Sequence, residues 1–158
     1  MTVEKKKLAR RGVKILFYLY IVVIFYFVLL SERYGRSTGY DTSHVNLVLF
    51  KEINRFWRYR HLLSTEAVVT NLFGNLFAFS PFGFMIPIVI NKKKAFFRAV
   101  FATFFFSLLI ETSQLIMKVG VFDVDDLLMN TIGGLIGYIG YRIMVAIYDV
   151  YDRKRAAK

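Results

Sequence analysis

Four long apolar runs dominate the chain and are separated by short polar segments. They cover residues from about 13 to 30, 68 to 90, 95 to 117 and 127 to 148. A helix needs roughly 20 apolar residues to cross a hydrocarbon core of about 30 Å, so each run is long enough to span a membrane. The pattern predicts an all-α polytopic membrane protein with four transmembrane helices. Its membrane domain covers 13–148, between basic segments at 1–12 and 149–158.

Basic residues alternate between the two ends of these runs. Six Lys and Arg lie in 1–14, four in 92–98, one between the third and fourth runs, and five from Arg142 onward. The segment between the first and second runs, residues 31–65, departs from the alternation with six more. In membrane proteins, Lys and Arg concentrate in the cytoplasmic segments. The alternation therefore predicts a multi-pass protein of the cell membrane with both termini in the cytoplasm.

The first outer loop, residues 31–65, contains an amphipathic pattern. Apolar side chains recur at helical spacing at Val45, Leu49, Ile53, Phe56 and Trp57, opposite the polar residues Asn46, Lys51, Glu52, Arg55 and Arg58. This spacing predicts an amphipathic helix lying in the outer membrane interface, with Trp57 at headgroup depth. The alternative is a helix in a solvated loop.

Composition narrows the class of protein further. The chain is 56% hydrophobic and 18% aromatic, with a net charge of +11. These values exclude disorder and disfavour a soluble fold. Most basic residues flank the apolar runs, which favours contact with membrane lipid over nucleic acid. The chain contains no Cys, which excludes disulfides, thiolate nucleophiles and Cys-ligated metals.

Polar side chains collect at the outer ends of the predicted spans, where each is costly unless it has a partner. The second span carries Asn71 and Asn75, the third carries Glu111 and Gln114, the next turn holds Asp123, Asp125 and Asp126, and Asn130 opens the fourth span. Because all of them reach the same membrane face, we predict one shared site. Glu111 and Asp126 are its candidate catalytic residues, and the others are candidate ligand-binding residues.

Carboxylates that share one layer repel each other unless a positive partner joins them. A divalent cation is one candidate partner, and oxygen ligands would favour Ca²⁺, Mg²⁺ or Mn²⁺. The basic outer loop and a bound ligand are the other two. For the Asp run by itself, a solvated turn or a cap by Asp126 on the fourth helix is the simpler explanation.

Small residues line one face of the fourth run. They are Gly133, Gly134, Gly137 and Gly140, of which Gly133 and Gly137 form a GxxxG pair. In membrane helices this spacing lets two backbones approach closely. We therefore predict helix packing at this face rather than a ligand site.

Several of these segments, taken in order, resemble one known family. They are Asn71-Leu72-Phe73-Gly74-Asn75, Glu111-x-x-Gln114 and Phe122-Asp123-Val124-Asp125-Asp126-Leu127-Leu128-Met129-Asn130, followed by Gly133-Gly134. The combination is similar to the VanZ-like family of small membrane proteins over about 46–141. The resemblance implies a bacterial cell-envelope protein, and the family's best-known member confers low-level teicoplanin resistance. Many members carry an Arg shortly before the Phe-Asp pair, where this chain has Lys118-Val119-Gly120-Val121.

Three functions fit these residues. The leading hypothesis is an outer-face site that binds or modifies an envelope component, such as a lipid-linked wall precursor or a glycopeptide. The second is a metal-assisted hydrolase or transferase acting on a lipid-linked substrate, with Glu111 or Asp126 as general base. The third is a non-catalytic scaffold in which the polar contacts only hold the helices together.

Overall fold

A computed structural model describes residues 3–30, 45–90 and 95–156, apart from a few side chains within these ranges. Its helices are α1 (Val3–Phe25, continued by a π-helical turn over Tyr26–Leu30), α2 (Lys51–Arg58), α3 (Thr65–Ile90), α4 (Ala95–Met117) and α5 (Val124–Ala156). Two short strands, β1 (Val45–Asn46) and β2 (Phe122–Asp123), pair in parallel. The predicted all-α architecture is confirmed.

Four of the helices are long and apolar enough to cross a membrane, as the sequence predicted. The candidate spans are Lys7–Leu29, Val68–Ile90, Ala95–Met117 and Val124–Ala156. The first helix begins earlier than its apolar run, because Val3–Phe25 is helical through the basic N-terminal segment. The last helix has 33 residues and a length of about 50 Å, so it extends well beyond a hydrocarbon core of about 30 Å.

The bundle buries a row of polar side chains on α4 and exposes many large apolar side chains. On α4, Thr103, Ser107 and Glu111 recur every four residues and are buried, at 0%, 0% and 2% exposure. Phe101 and Phe105 of the same helix are more than half exposed. A soluble domain buries its apolar face and exposes its polar one, whereas lipid solvates the apolar side chains of a membrane helix.

Glycines bring α3 and α5 into backbone contact. A Cβ added at Gly133 or Gly137 would overlap the carbonyl oxygen of Leu76 or Ser80, and one at Gly83 would overlap the Gly134 carbonyl. Only residues without a side chain fit at such a distance. The predicted packing role of the GxxxG pair is confirmed, and its partner is α3.

Aromatic side chains join α1 to the rest of the bundle. Phe17 packs against Phe82 with ring centroids 5.3 Å apart, and Phe82 stacks on Phe106 of α4 at 4.7 Å. The Tyr20 hydroxyl donates a hydrogen bond to the carbonyl oxygen of Ala78. These contacts fix α1 beside α3, whereas Ile15, Leu19 and Val22 on its other faces are more than half exposed.

The predicted amphipathic helix is shorter than its periodicity suggested, so that prediction is wrong for residues 45–50. Val45–Asn46 is a strand, and α2 begins only at Lys51. Phe50, the residue before α2, has a left-handed backbone with φ 64°, which separates the strand from the helix. Trp57 is 60% exposed, which suits headgroup depth, and the interfacial position of α2 stays a prediction.

Candidate functional site

One end of the bundle, called the acidic end here, is built around Asp123 where β2 leads into α5. Asp123 Oδ1 accepts the backbone N–H of Asp125 at 2.8 Å, which caps the first turn of α5. The Asn46 amide donates to both Asp123 oxygens, at 3.1 and 3.2 Å. The helix cap that the sequence assigned to Asp126 is therefore formed by Asp123.

Asp125 joins α2 to the bundle. Its carboxylate accepts the backbone N–H groups of Phe50, Glu52 and Ile53, the last two at 2.8 and 3.2 Å. A helix N-terminus offers unpaired N–H groups and a partial positive charge, so it stabilises a carboxylate. Asp125 is 1% exposed, and its contacts hold the start of α2 against α5.

Glu111 lies behind the strand pair. It is 2% exposed, and its Oε2 accepts the backbone N–H of Asp123 at 3.0 Å. The carboxylate thus holds β2 against α4. Glu111 does not line the cleft described next, so it does not face a ligand bound there. Its candidate catalytic role stays a prediction.

A cleft of about 130 Å³ opens at the acidic end, between α2 and α5. Its lining consists of Glu52, Ile53, Arg55, Phe56, Asp123, Asp125, Asp126 and Met129. Asp126 is half-buried and accepts a hydrogen bond from Asn75 Nδ2 at 2.6 Å. Glu52 and Arg55 form an ion pair along α2. The cleft, here called the acidic cleft, combines two kinds of charge with apolar walls.

The sequence predicts that the clustered carboxylates need a positive partner. In the structure, N–H groups mainly fill this role. Asp125 is compensated by the N-terminus of α2, Asp123 by Asn46, and Glu111 by a backbone N–H. Among residues 3–30, 45–90 and 95–156, no three His, Asp or Glu side chains form a group that could hold a metal ion. The fold thus compensates these buried charges with its own dipoles.

The remaining predicted site residues do not all meet at the acidic cleft. Gln114 donates to the Val28 carbonyl oxygen at 3.4 Å, towards α1. Asn130 lies deeper, where its amide donates to Ser107 Oγ at 2.8 Å. The Asn71 side chain lies outside the described residues.

Two residues of the acidic end were missed by sequence reasoning. The periodicity placed Asn46 and Glu52 on the solvated face of a helix, whereas Asn46 is buried against Asp123 and Glu52 lines the acidic cleft. The helical periodicity extends back to residue 45, but residues 45 and 46 form a strand that pairs with residues 122 and 123. A local pattern cannot reveal pairing with a distant segment.

A comparison with protein families identifies the family to which the chain belongs. The model of the VanZ/LLP1 family matches residues 17–145. The chain belongs to the VanZ/LLP1 family. Protein VanZ of Enterococcus faecium is 28% identical over 134 residues, which are 83% of this chain and 72% of that protein. No solved structure matches the chain.

The VanZ/LLP1 match includes every residue of the acidic end. It begins within α1 at residue 17 and ends within α5 at residue 145. The acidic cleft therefore lies inside the VanZ/LLP1 domain, whereas the whole basic N-terminal segment and the last turns of α5 lie outside the match.

Proposed function

We propose that this VanZ-like membrane protein uses the acidic cleft to bind an amphiphilic component of the bacterial envelope and thereby lowers susceptibility to teicoplanin. A lipid-linked wall precursor or the glycopeptide itself is the proposed ligand. The proposal places the acidic end at the outer membrane face and both termini in the cytoplasm. Membership of the VanZ/LLP1 family supports teicoplanin as the antibiotic, and the geometry of the acidic end supports the acidic cleft as the site.

The position of Asp126 carries this proposal. Its carboxylate lines the acidic cleft, and Asn75 is the hydrogen-bond donor that the described residues supply to it. A carboxylate accepts several hydrogen bonds, so Asp126 can also bind an ammonium or amide group of a ligand. A volume of about 130 Å³ is that of about four water molecules, which fits one such group and leaves the rest of the ligand on the surface.

The surroundings of the cleft suit a ligand that lies at a lipid–water boundary. Leu47 and Val48 are 68% and 62% exposed, and Arg60 lies over the Trp57 ring at 4.7 Å from its centroid. Exposed apolar, aromatic and Arg side chains are typical of the headgroup region. This arrangement supports approach of the ligand along the outer leaflet.

Binding is favoured over metal-assisted hydrolysis by the donor set. Asp123, Asp125 and Glu111 accept hydrogen bonds from separate backbone or amide N–H groups, and Asp126 accepts one from Asn75. A bound metal needs several oxygen ligands that converge on one point, and among the described residues no three His, Asp or Glu side chains form such a group. The oxygen atoms of Asp126 are the best placed for contact with a ligand.

Teicoplanin susceptibility tests the proposed function. Cells that express the protein are expected to grow at a higher teicoplanin concentration than cells with the empty vector, and Asp149→Asn should behave as wild type. Asp149 is exposed on α5, far from Val124 at its first turn, and serves as the control for removal of one carboxylate. Equal inhibition of wild-type and vector cells, at confirmed expression, would contradict the proposal.

Orientation in the membrane is testable by single-cysteine labelling, because the chain contains no Cys. Val121 is 38% exposed beside β2, and Ala156 is exposed at the end of α5. In intact cells, a membrane-impermeant maleimide is expected to label Val121→Cys and to leave Ala156→Cys unlabelled until the cells are lysed. The reverse pattern would place the acidic cleft in the cytoplasm and remove the proposed access to envelope ligands.

A further inference from the structure

The end of the bundle opposite the acidic end has a cleft of its own, with a volume of about 420 Å³. One wall consists of four cationic side chains of α1, and the other is the last turn of α3. The lining residues are Lys7, Arg10, Arg11, Lys14, Ile88, Val89 and Ile90. We call it the basic cleft, and the proposed function makes no use of it.

The four cations form a strip along one face of α1. Their spacing of i, i+3, i+4 and i+7 places them on the same side of the helix, and all four are exposed. From Lys7 to Lys14 the strip is about 10 Å long. The headgroup region on each side of a bilayer is about 5–8 Å deep, so a strip of this length is long enough to extend through it.

The charge of the basic cleft exceeds what the C-terminus of α3 and Glu4 compensate. The C-terminus of α3 contributes about −0.5 of a charge. Glu4 lies one turn before Lys7 and borders a neighbouring cleft with Lys7, Leu8 and Arg11. Together these two groups supply about 1.5 negative charges against the three positive charges of Lys7, Arg11 and Lys14 alone, so an anion is favoured in the cleft.

The other wall shows what kind of anion fits. Ile88, Val89 and Ile90 are half-buried and present hydrocarbon beside the cations. A soluble phosphate would contact the cations and leave this wall exposed, whereas an anionic amphiphile contacts both walls. We propose that the basic cleft binds one anionic phospholipid, with its phosphate against α1 and an acyl chain along the end of α3.

Lipid retention by the purified full-length protein tests this proposal. In neutral detergent, phosphatidylglycerol or phosphatidylcholine with identical acyl chains is added, and bound lipid is counted by native mass spectrometry. One phosphatidylglycerol per chain is expected to stay bound and to raise the melting midpoint, and phosphatidylcholine is expected to do neither. Arg11→Gln combined with Lys14→Gln is expected to weaken retention about tenfold or more.

A matched pair of variants separates a defined site from general surface charge. Arg153→Gln with Lys154→Gln removes the same charge from the far end of α5, outside the basic cleft, and is expected to keep the bound lipid. Equal loss from both pairs would overturn the proposal. Equal stabilisation by glycerol 3-phosphate would also overturn it, because the occupant would then be a soluble phosphate.

A milder variant covers the case in which the double variant does not fold. Lys14→Gln keeps three of the cations and is expected to lose part of the lipid retention, with an unchanged size-exclusion profile. Retention equal to that of the wild type would overturn the proposal. The site lies at the opposite end from the acidic cleft, so neither result bears on teicoplanin susceptibility.

Discussion

Replacing Gly137 with leucine is expected to prevent α3 and α5 from packing and to reduce the folded yield severely. A Cβ at this position would overlap the Ser80 carbonyl oxygen and lie 2.8 Å from the Phe84 nitrogen. Both are backbone atoms, so the helices must separate to relieve the overlap. Overpacking of a core costs about 1–3 kcal/mol and sometimes more, and we expect the upper end here. Detergent size-exclusion profiles and melting curves measure the effect.

Gly140 provides the matched control for this prediction. A Cβ there would meet Phe84 Cδ2 at 3.7 Å, an ordinary contact with a side chain. Gly140→Ala is therefore expected to melt near the wild-type temperature, whereas Gly137→Ala should melt about 10 °C lower. Equal melting temperatures would show that α3 and α5 do not meet at Gly137.

Replacing Asp126 with asparagine is expected to remove protection against teicoplanin while the protein stays folded. The change keeps the shape of the side chain and one oxygen acceptor for Asn75, and it removes the charge from the acidic cleft. A hydrogen bond to a charged group contributes about 1.5–3 kcal/mol, so affinity should fall roughly tenfold to a hundredfold. Growth at graded teicoplanin concentrations, with matched expression, measures the loss.

Glu111→Gln separates ligand contact from support of the site. The sequence makes Glu111 and Asp126 equal candidates for a catalytic role, but the structure buries Glu111 behind β2 with its oxygen on the Asp123 N–H. A glutamine oxygen can accept the same hydrogen bond. We therefore expect Glu111→Gln to keep most of the protection. Loss equal to that of Asp126→Asn would restore Glu111 to a direct role, and wild-type protection by Asp126→Asn would leave the scaffold as the better interpretation.

The different contacts of the three Asp residues show why the sequence alone could not assign a role to each of them. Residues 123 to 126 are close together in the chain, yet Asp123 contacts Asn46, Asp125 contacts the start of α2, and Asp126 contacts Asn75. The last two contacts join residues 73 and 51 positions apart. Helical and strand periodicities describe residues that are neighbours in sequence. They show that the three Asp side chains lie at the same end of the bundle, but they cannot show which distant residue each one contacts.

Hydrophobicity and charge along the chain determined the helical membrane fold, because crossing a lipid core requires long apolar helices whose backbone groups bond internally. The spacing of Gly133 and Gly137 also determined which face of α5 is used for packing, since small residues four apart allow close approach of two helices. The tertiary structure decided which helix lies opposite those glycines, where α2 begins, and that N–H donors compensate Asp123, Asp125 and Glu111. These features depend on segments that meet only after the chain has folded, so no local pattern encodes them.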